Sequence, residues 1–299
     1  MLIYSLMSLY KLPILILCYN KLNSLKRIIS ILKKLKYSNI YISLDGPSSD
    51  NDQNNLKVLE YVNQLKTKKK YNIKINKYNK GCKTAVSQAI TWFFKNEEKG
   101  VILEEDCIPS NSFFKFCYFL LEKYENNKKI GHISGTNPLK FYNSKHSYFF
   151  SHYGGVWGWA TWRDRWSKYD VKMKEWKNYE KFNLYFKTKN FLDFILRLYQ
   201  LNKTYKNKID TWDYQWTFSK IKNNYLSIIP SKNLITNVGF NKKAKHTFDN
   251  NNSFSFLKKF EIRFPLIHNN RFEHCNIFYN RVVNQRIGNI LRNKIWVKF

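Results

Sequence analysis

Between residues 12 and 135, short apolar runs alternate with segments of helical periodicity, and a parallel α/β sheet is the architecture that buries such a pattern. Leu12 to Cys18 reads as a first buried strand. The helix after it has Leu25, Ile28, Ile29, Leu32 and Leu35 at helical spacing, with Asn23 or Ser24 as its cap. Ile40 to Leu44 is a second strand, ending at Asp45-Gly46-Pro47. A polar helix over about Asp52 to Leu65 leads to a third strand, Tyr71 to Ile75. A helix carrying Ala85, Ala89, Ile90 and Phe93 then precedes the run from Gly100 to Pro109. The order β-α-β-α-β-α-β predicts right-handed crossovers. Strands this apolar are buried on both faces, and their carboxyl ends open where such sheets take ligands.

The fourth strand stops in three consecutive acids, Glu104, Glu105 and Asp106. Adjacent carboxylates repel one another unless a cation or ligand hydroxyls compensate them. Hard oxygen donors suit Mg2+ or Mn2+ carrying a diphosphate. The other reading is a solvated acidic turn, with Asp106 near the positive end of a helix that starts around Ser110-Asn111. Spacing does not choose among the three acids.

A chain of 299 residues accommodates one large α/β domain, or one domain with a smaller appendage. An aromatic content of 18% excludes a disordered polymer. The formal net charge of +31 points to partners: nucleic acid, an anionic membrane surface or acidic substrates. Much of it comes from lysine mixed with asparagine, which an A/T-rich genome also encodes, and this halves its weight. No apolar stretch reaches the roughly 20 residues that span a bilayer. The apolar start lacks a basic region and is interrupted by Lys11 and Pro13, so it makes a poor secretion signal. Cys18, Cys82, Cys107, Cys117 and Cys275 are odd in number and lack CxxC spacing, as expected of reduced cysteines in a cytosolic protein.

Beyond the acids the alternation weakens. A helix over about Ser112 to Tyr124 and a strand at Gly131 to Gly135 come first. An aromatic loop region follows, with Gly154 to Trp162 and Asp210 to Trp216 as landmarks. Its glycines at 154, 155 and 158 permit close backbone approach. The tail after about Asn250 is basic. Arg281 to Phe299 reads as a cationic helix with Val282, Val283, Ile287, Ile290, Leu291 and Ile295 on one side, either packed on the fold or lying on a membrane.

Four blocks in order resemble the GT-A glycosyltransferases, and more narrowly the N-acetylglucosaminyltransferase I-like group and its bacterial relatives. They are Ile14-Leu-Ile-Leu-Cys-Tyr-Asn-Lys21 with Lys26-Arg27, Leu103-Glu-Glu-Asp-Cys-Ile-Pro-Ser110 with Phe113 and Phe114, Gly155-Val-Trp-Gly-Trp-Ala-Thr-Trp162, and Thr211-Trp-Asp-Tyr-Gln-Trp216. The likeness runs from about Leu12 to Thr247. It implies an α/β, Rossmann-like GT-A fold: a mostly parallel sheet flanked by helices, with an acceptor-side aromatic loop and helical region and a basic C-terminal extension. Residues 1–135 would then form the nucleotide-sugar half, 136–250 the acceptor and catalytic half, and 251–299 the extension.

Carried to matching positions, the resemblance implies that Asp106 is the metal ligand and that Glu104 and Glu105 organise the ribose, the sugar and neighbouring loops. On its residues alone Asp213 reads as a helix cap; the resemblance implies a general base that deprotonates a sugar hydroxyl. Asp210 is its competitor. Trp157, Trp159 and Trp162 offer flat faces for pyranose C–H surfaces, although core packing explains such residues equally well. Asp45 would lie near the uracil or ribose, unless it is an ordinary turn residue. Lys21 stands where the family often has a phosphate-binding arginine, and keeps the charge but not the bidentate fork. Lys83 reads as a diphosphate contact at a helix N-terminus or as a solvated lysine. His246 belongs to a donor-covering loop or to an exposed basic one. The remaining histidines lack ligand spacing.

The function expected is metal-dependent, inverting transfer of a sugar, N-acetylglucosamine or a related hexosamine, from a UDP-sugar. The acceptor would be a cell-surface glycan or a lipid-linked one, as in bacterial polysaccharide biosynthesis. The enzyme would be cytoplasmic and peripheral on the anionic inner membrane face. A nucleic-acid-binding protein is the alternative from another class, but the basic residues form no single stripe and no nucleic acid is expected as a partner. A sugar nucleotidyltransferase would carry a glycine-rich phosphate loop, and Cys18 to Asn23 contains no glycine.

Overall fold

The computed structural model describes residues 10–152, 154–188, 190–239 and 257–292; His246 lies outside the described residues. Strands β1 (Ile14–Cys18), β2 (Ile40–Leu44), β3 (Tyr71–Ile75) and β4 (Lys99–Glu104) alternate with helices α1 (Leu22–Lys34), α2 (Gln53–Lys66) and α3 (Gly81–Asn96). The pairs β1–β2, β1–β4 and β2–β3 are all parallel. Asp52 caps α2 by accepting the Asn55 N–H at 3.2 Å. Helix α1 starts earlier than expected: Lys21 is its N-cap and makes no side-chain cap bond, so neither Asn23 nor Ser24 has that part.

Strand periodicity sends alternate residues of β1 into two cores. Ile14, Ile16 and Cys18 pack with Leu25 and Ile28 of α1 and with Val58 and Val62 of α2. Leu15 and Leu17 pack on the other face with Ala89, Ile90 and Phe93 of α3.

The later elements are β5 (Cys107–Pro109), α4 (Asn111–Lys123), β6 (Ile130–Ser134), β7 (Tyr148–Ser151), β8 (Trp159–Trp162), α5 (Arg163–Trp166), α6 (Phe182–Thr188), α7 (Phe191–Tyr205), α8 (Asp213–Lys222), β9 (Leu226–Pro230), β10 (Ile235–Asn237) and α9 (Asn276–Arg292). The main sheet has the order β3-β2-β1-β4-β8-β6-β9-β7. β8 runs antiparallel to both β4 and β6, β9 is parallel to β6, and β7 is antiparallel to β9. This mostly parallel sheet with helices on both faces is the Rossmann-like α/β architecture that the sequence led us to expect.

Two expectations change. Trp159 to Trp162 is a central strand rather than part of a loop, paired with β4 and β6 on its edges and buried by the cores on its two faces, Trp159 in one and Ala160 and Trp162 in the other. The terminal helix begins at Asn276, earlier than the expected Arg281, and packs Phe278 and Val282 against Phe149 and Ile229, as the packed reading of this segment expects. Among the described residues no helix is long and apolar enough to cross a membrane.

Candidate active site

In the order β3-β2-β1-β4, the chain leaves β1 in one direction and returns on its other side at β4, which makes their carboxyl ends the topological switch point of the sheet. Leu17 lies opposite Glu104 in that register. The Glu105 N–H donates to the Leu17 carbonyl at 2.9 Å, and the Asn20 N–H donates to Glu105 Oε1 at 2.9 Å, so Glu105 pins the β1–α1 turn. Burial raises the Glu105 carboxyl, and the amides of Asn20, Tyr19 and Lys21 oppose that rise. The same turn delivers Lys21, whose Nζ lies 2.5 Å from Asp106 Oδ2. Desolvation pulls the Lys21 ammonium down, but Asp106, Glu105 and Glu104 together outweigh it and hold the group above its usual range.

The segment after β9 returns to this point. β10 pairs with β5, the Val238 N–H donates to the Asp106 carbonyl at 2.9 Å, and Gly239 closes over the carboxylate. A Cβ at position 239 would stand 2.2 Å from Asp106 Oδ2, so a side chain there would displace the carboxylate from its present position.

Asp213 opens α8, and its carboxylate accepts the Thr211 hydroxyl; the helix has no side-chain cap, which removes the capping role. Burial, then the charges of Asp106 and Asp213, push the Glu104 carboxyl up to about 8. Glu104 therefore lies within electrostatic reach of acids more than a hundred residues apart in sequence, one after β4 and one on α8. The Cys82 thiol is raised to about 12 by burial and then by Glu104, Asp210, Asp213 and Asp45, which puts the start of α3 at the rim of the same cluster.

Asp210 is differently employed. Its two carboxylate oxygens accept the N–H groups of Cys82 at 3.0 Å and Lys83 at 3.1 Å, satisfying the first turn of α3 from a distant loop. The amides expected to meet a diphosphate beside Lys83 are thus taken by the protein's own carboxylate, and Lys83 Nζ donates to Asn207 at 2.8 Å. Asp45, at the end of β2, accepts from the Asn76 side chain at 3.0 Å and the Lys80 N–H at 3.1 Å, tying β2 to the β3–α3 loop.

The tryptophans divide. Trp159 is wholly buried, stacked between His132 at 5.0 Å and Trp212 at 5.7 Å. Trp162 points to the opposite core, where Nε1 donates to the Leu121 carbonyl at 3.1 Å and the Arg165 guanidinium lies 4.2 Å from the ring centre. Neither offers an open face to an acceptor, because packed residues cover Trp159 on one face of the sheet and Trp162 on the other. Trp157 is half-buried before β8, with its carbonyl accepting the Thr136 hydroxyl at 2.8 Å.

Two further groups, His132, which lacked ligand spacing in the sequence, and Lys220, which carried no motif, belong to the site's surroundings. Trp216 Nε1 donates to His132 Nδ1 at 3.2 Å; an indole N–H only donates, so the imidazole carries its proton on Nε2, 3.0 Å from the Gly155 carbonyl. Burial, then Lys220, holds His132 well below its ordinary pKa, consistent with a neutral ring. Lys220, only 3% exposed, donates to the Gly154 carbonyl at 3.1 Å. One face of α8 thus carries Asp213 and also, through Trp216 and Lys220, grips two successive carbonyls of the glycine-rich segment. The helical spacing of 213, 216 and 220 was the available signal.

Burial, then Arg197, lowers Lys220 to about 7, with Asp213 opposing. Since the unfolded chain binds this proton up to about pH 10, the folded state gains stability as pH rises above 7. We expect wild-type unfolding free energy to rise by roughly 2 kcal/mol between pH 7 and 9, and Lys220→Met to lose that rise, measured by urea unfolding. Equal slopes for the two proteins would refute the assignment.

Among the described residues no three His, Cys, Asp or Glu side chains form a ready chelate. The oxygen donors at the end of β4 nevertheless fit a hard cation held through one protein ligand. Asp106 Oδ1 meets only the Cys107 thiol, at 3.5 Å, and buried Glu105 Oε2 has no hydrogen-bond partner among the described residues.

No family model and no curated protein matches the chain. A solved structure, the mannosyltransferase PcManGT from Pyrobaculum calidifontis in complex with GDP-Man and Mn2+, is similar to it with 13% identity and a TM-score of 0.35. The match covers 55% of this chain and 52% of that one, so it spans about half the length of each. At that level it says nothing about donor, sugar or residue roles.

Proposed function

We propose that this chain is a metal-dependent, inverting glycosyltransferase that moves a sugar, N-acetylglucosamine or a related hexosamine, from a UDP-sugar to a hydroxyl of a glycan or lipid-linked acceptor. The observation that carries the reading is that Asp106 after β4 and Asp213 on α8 both raise the Glu104 carboxyl at the switch point of the sheet. Asp213 takes the acceptor proton as the acceptor oxygen bonds to the anomeric carbon and the bond to the diphosphate breaks on the opposite face. One such displacement inverts the centre. Lys21 stands beside Asp106 as a cation for the departing diphosphate, and Glu105 holds the turn that presents it. Mn2+ or Mg2+ bound through Asp106 would supply Lewis-acid stabilisation of the leaving group. Asp45 at the rim is the nucleoside-side candidate, and Trp157 the remaining aromatic candidate on the acceptor side.

The β1–α1 turn, Tyr19-Asn20-Lys21, lacks the glycines that a nucleotidyltransferase would use to cradle a triphosphate. The protein should release UDP from UDP-hexosamines with Mn2+ and acceptor, and EDTA should abolish release. Pyrophosphate formation from UTP and a sugar phosphate, with no UDP release from any UDP-sugar, would move the chain to the nucleotidyltransferases. A GDP-mannose arm tests the base.

A further inference from the structure

The α6–α7 pair turns an unusually apolar face outward. Phe182, Tyr185, Phe186, Phe191, Leu192 and Ile195 are all exposed, with Phe182, Phe186 and Phe191 at 64%, 65% and 64%. The aromatic members cluster: Phe182, Tyr185 and Phe191 each lie 6.1 to 6.2 Å from the ring of Phe194 between them, and Phe186 adjoins Tyr185 at 6.0 Å. The inner face of the pair is satisfied separately, since Leu184, Phe194 and Leu201 pack with Phe218 and Ile221 of α8. The outer residues are therefore surplus to the core, and contiguous exposed apolar patches of this kind mark contact surfaces.

Charge identifies the contact. From 177 to 208 the only acids are Glu180 and Asp193, and Asp193 is buried and spent on Arg197 at 2.6 Å. Lys177, just before the pair in sequence, and Lys206 and Lys208, just after it, are exposed, and Lys187 on α6 is half-exposed. A chain of net charge +31 repels a second copy of itself, whereas an anionic bilayer attracts the lysines while its interface accepts the aromatic rings.

We propose that the outer face of α6–α7 is a docking surface for an anionic lipid bilayer. The phenyl rings enter the headgroup boundary and the lysines meet acidic headgroups, as an interfacial helix does. Because the inner face of α7 packs on α8, which begins with Asp213, docking of the outer face sets the catalytic helix one helix layer from the bilayer. The link to a lipid-linked acceptor rests on the glycosyltransferase reading; the docking itself does not.

The test is sedimentation of the full chain with vesicles, which needs no turnover and so fails or succeeds independently of the chemistry. The protein should bind phosphatidylcholine–phosphatidylglycerol vesicles at least about tenfold more tightly than phosphatidylcholine alone. The variant F182S/F186S/F191S/L192S should lose at least about tenfold of that affinity, with its far-UV circular dichroism and its turnover of a short, unanchored acceptor unchanged. In a separate F186W variant the new indole should shift its emission to the blue on adding the mixed vesicles. Equal vesicle binding by wild type and the quadruple variant, or no shift in F186W, would overturn the proposal. So would a wild-type dimer that the quadruple variant splits with vesicle binding unaltered, which would assign the patch to a second copy.

Discussion

Asp213→Asn should lower kcat by roughly 100- to 10,000-fold, the range a positioned general base contributes, while leaving the affinity for the UDP-sugar within a factor of about three. The amide keeps the shape of the carboxylate and can still accept the Thr211 hydroxyl that the acid accepts. What it loses is the capacity to take a proton. Asp210→Asn separates this role from its neighbour's. Asp210 sits three residues away, but its carboxylate serves the N–H groups of Cys82 and Lys83, so the amide should loosen the start of α3 and cost about 1 kcal/mol in stability with a much smaller loss in kcat. Initial rates with saturating donor and calorimetric titration of the donor measure both. Transfer by Asp213→Asn at more than a tenth of the wild-type rate would take the base role from this residue.

The second large effect concerns Asp106. Asp106→Asn should abolish metal-stimulated turnover, a loss of at least about a thousandfold, because leaving-group stabilisation by a cation is worth several kcal/mol. It should also weaken Mn2+ binding, read directly by electron paramagnetic resonance of the free ion. Lys21 sharpens the expectation. Its ammonium lies 2.5 Å from Asp106 Oδ2 and would compete with a cation for that oxygen. Lys21→Met should therefore tighten Mn2+ binding in the absence of donor, yet slow turnover, because the diphosphate loses a cationic contact. Unchanged Mn2+ affinity in Asp106→Asn would transfer the ligand role to Glu104 or Glu105.

The first half of the fold was legible in the sequence because its signals are local. Strand β3 runs from Tyr71 to Ile75 as read, and α2 begins where Asp52 caps it, since apolar periodicity and a cap depend on residues a few positions apart. The acid cluster was legible for the same reason: an apolar strand ending in carboxylates is a contiguous pattern. The tryptophans were not. Gly154 to Trp162 resembles a ligand-facing loop when read along the chain, and nothing within it announces that Trp159 lies opposite Ile102 and Ser134 in the sheet. Lys220 and His132 drew no role from the sequence for a related reason. Each is an ordinary residue until a distant partner meets it, Trp216 for His132 at 84 positions and the Gly154 carbonyl for Lys220 at 66.

Composition and short-range pattern were sufficient to establish an α/β chain with a strand ending in acids and a strong excess of basic residues, because helix, strand and charge are read from the residues themselves and their near neighbours. Tertiary structure alone decided which acids are committed elsewhere, which aromatic rings are sealed in the core and which stand in solvent. Those outcomes depend on contacts between segments far apart in the chain, such as Asp210 with the first turn of α3, and chain closure rather than local preference selects them.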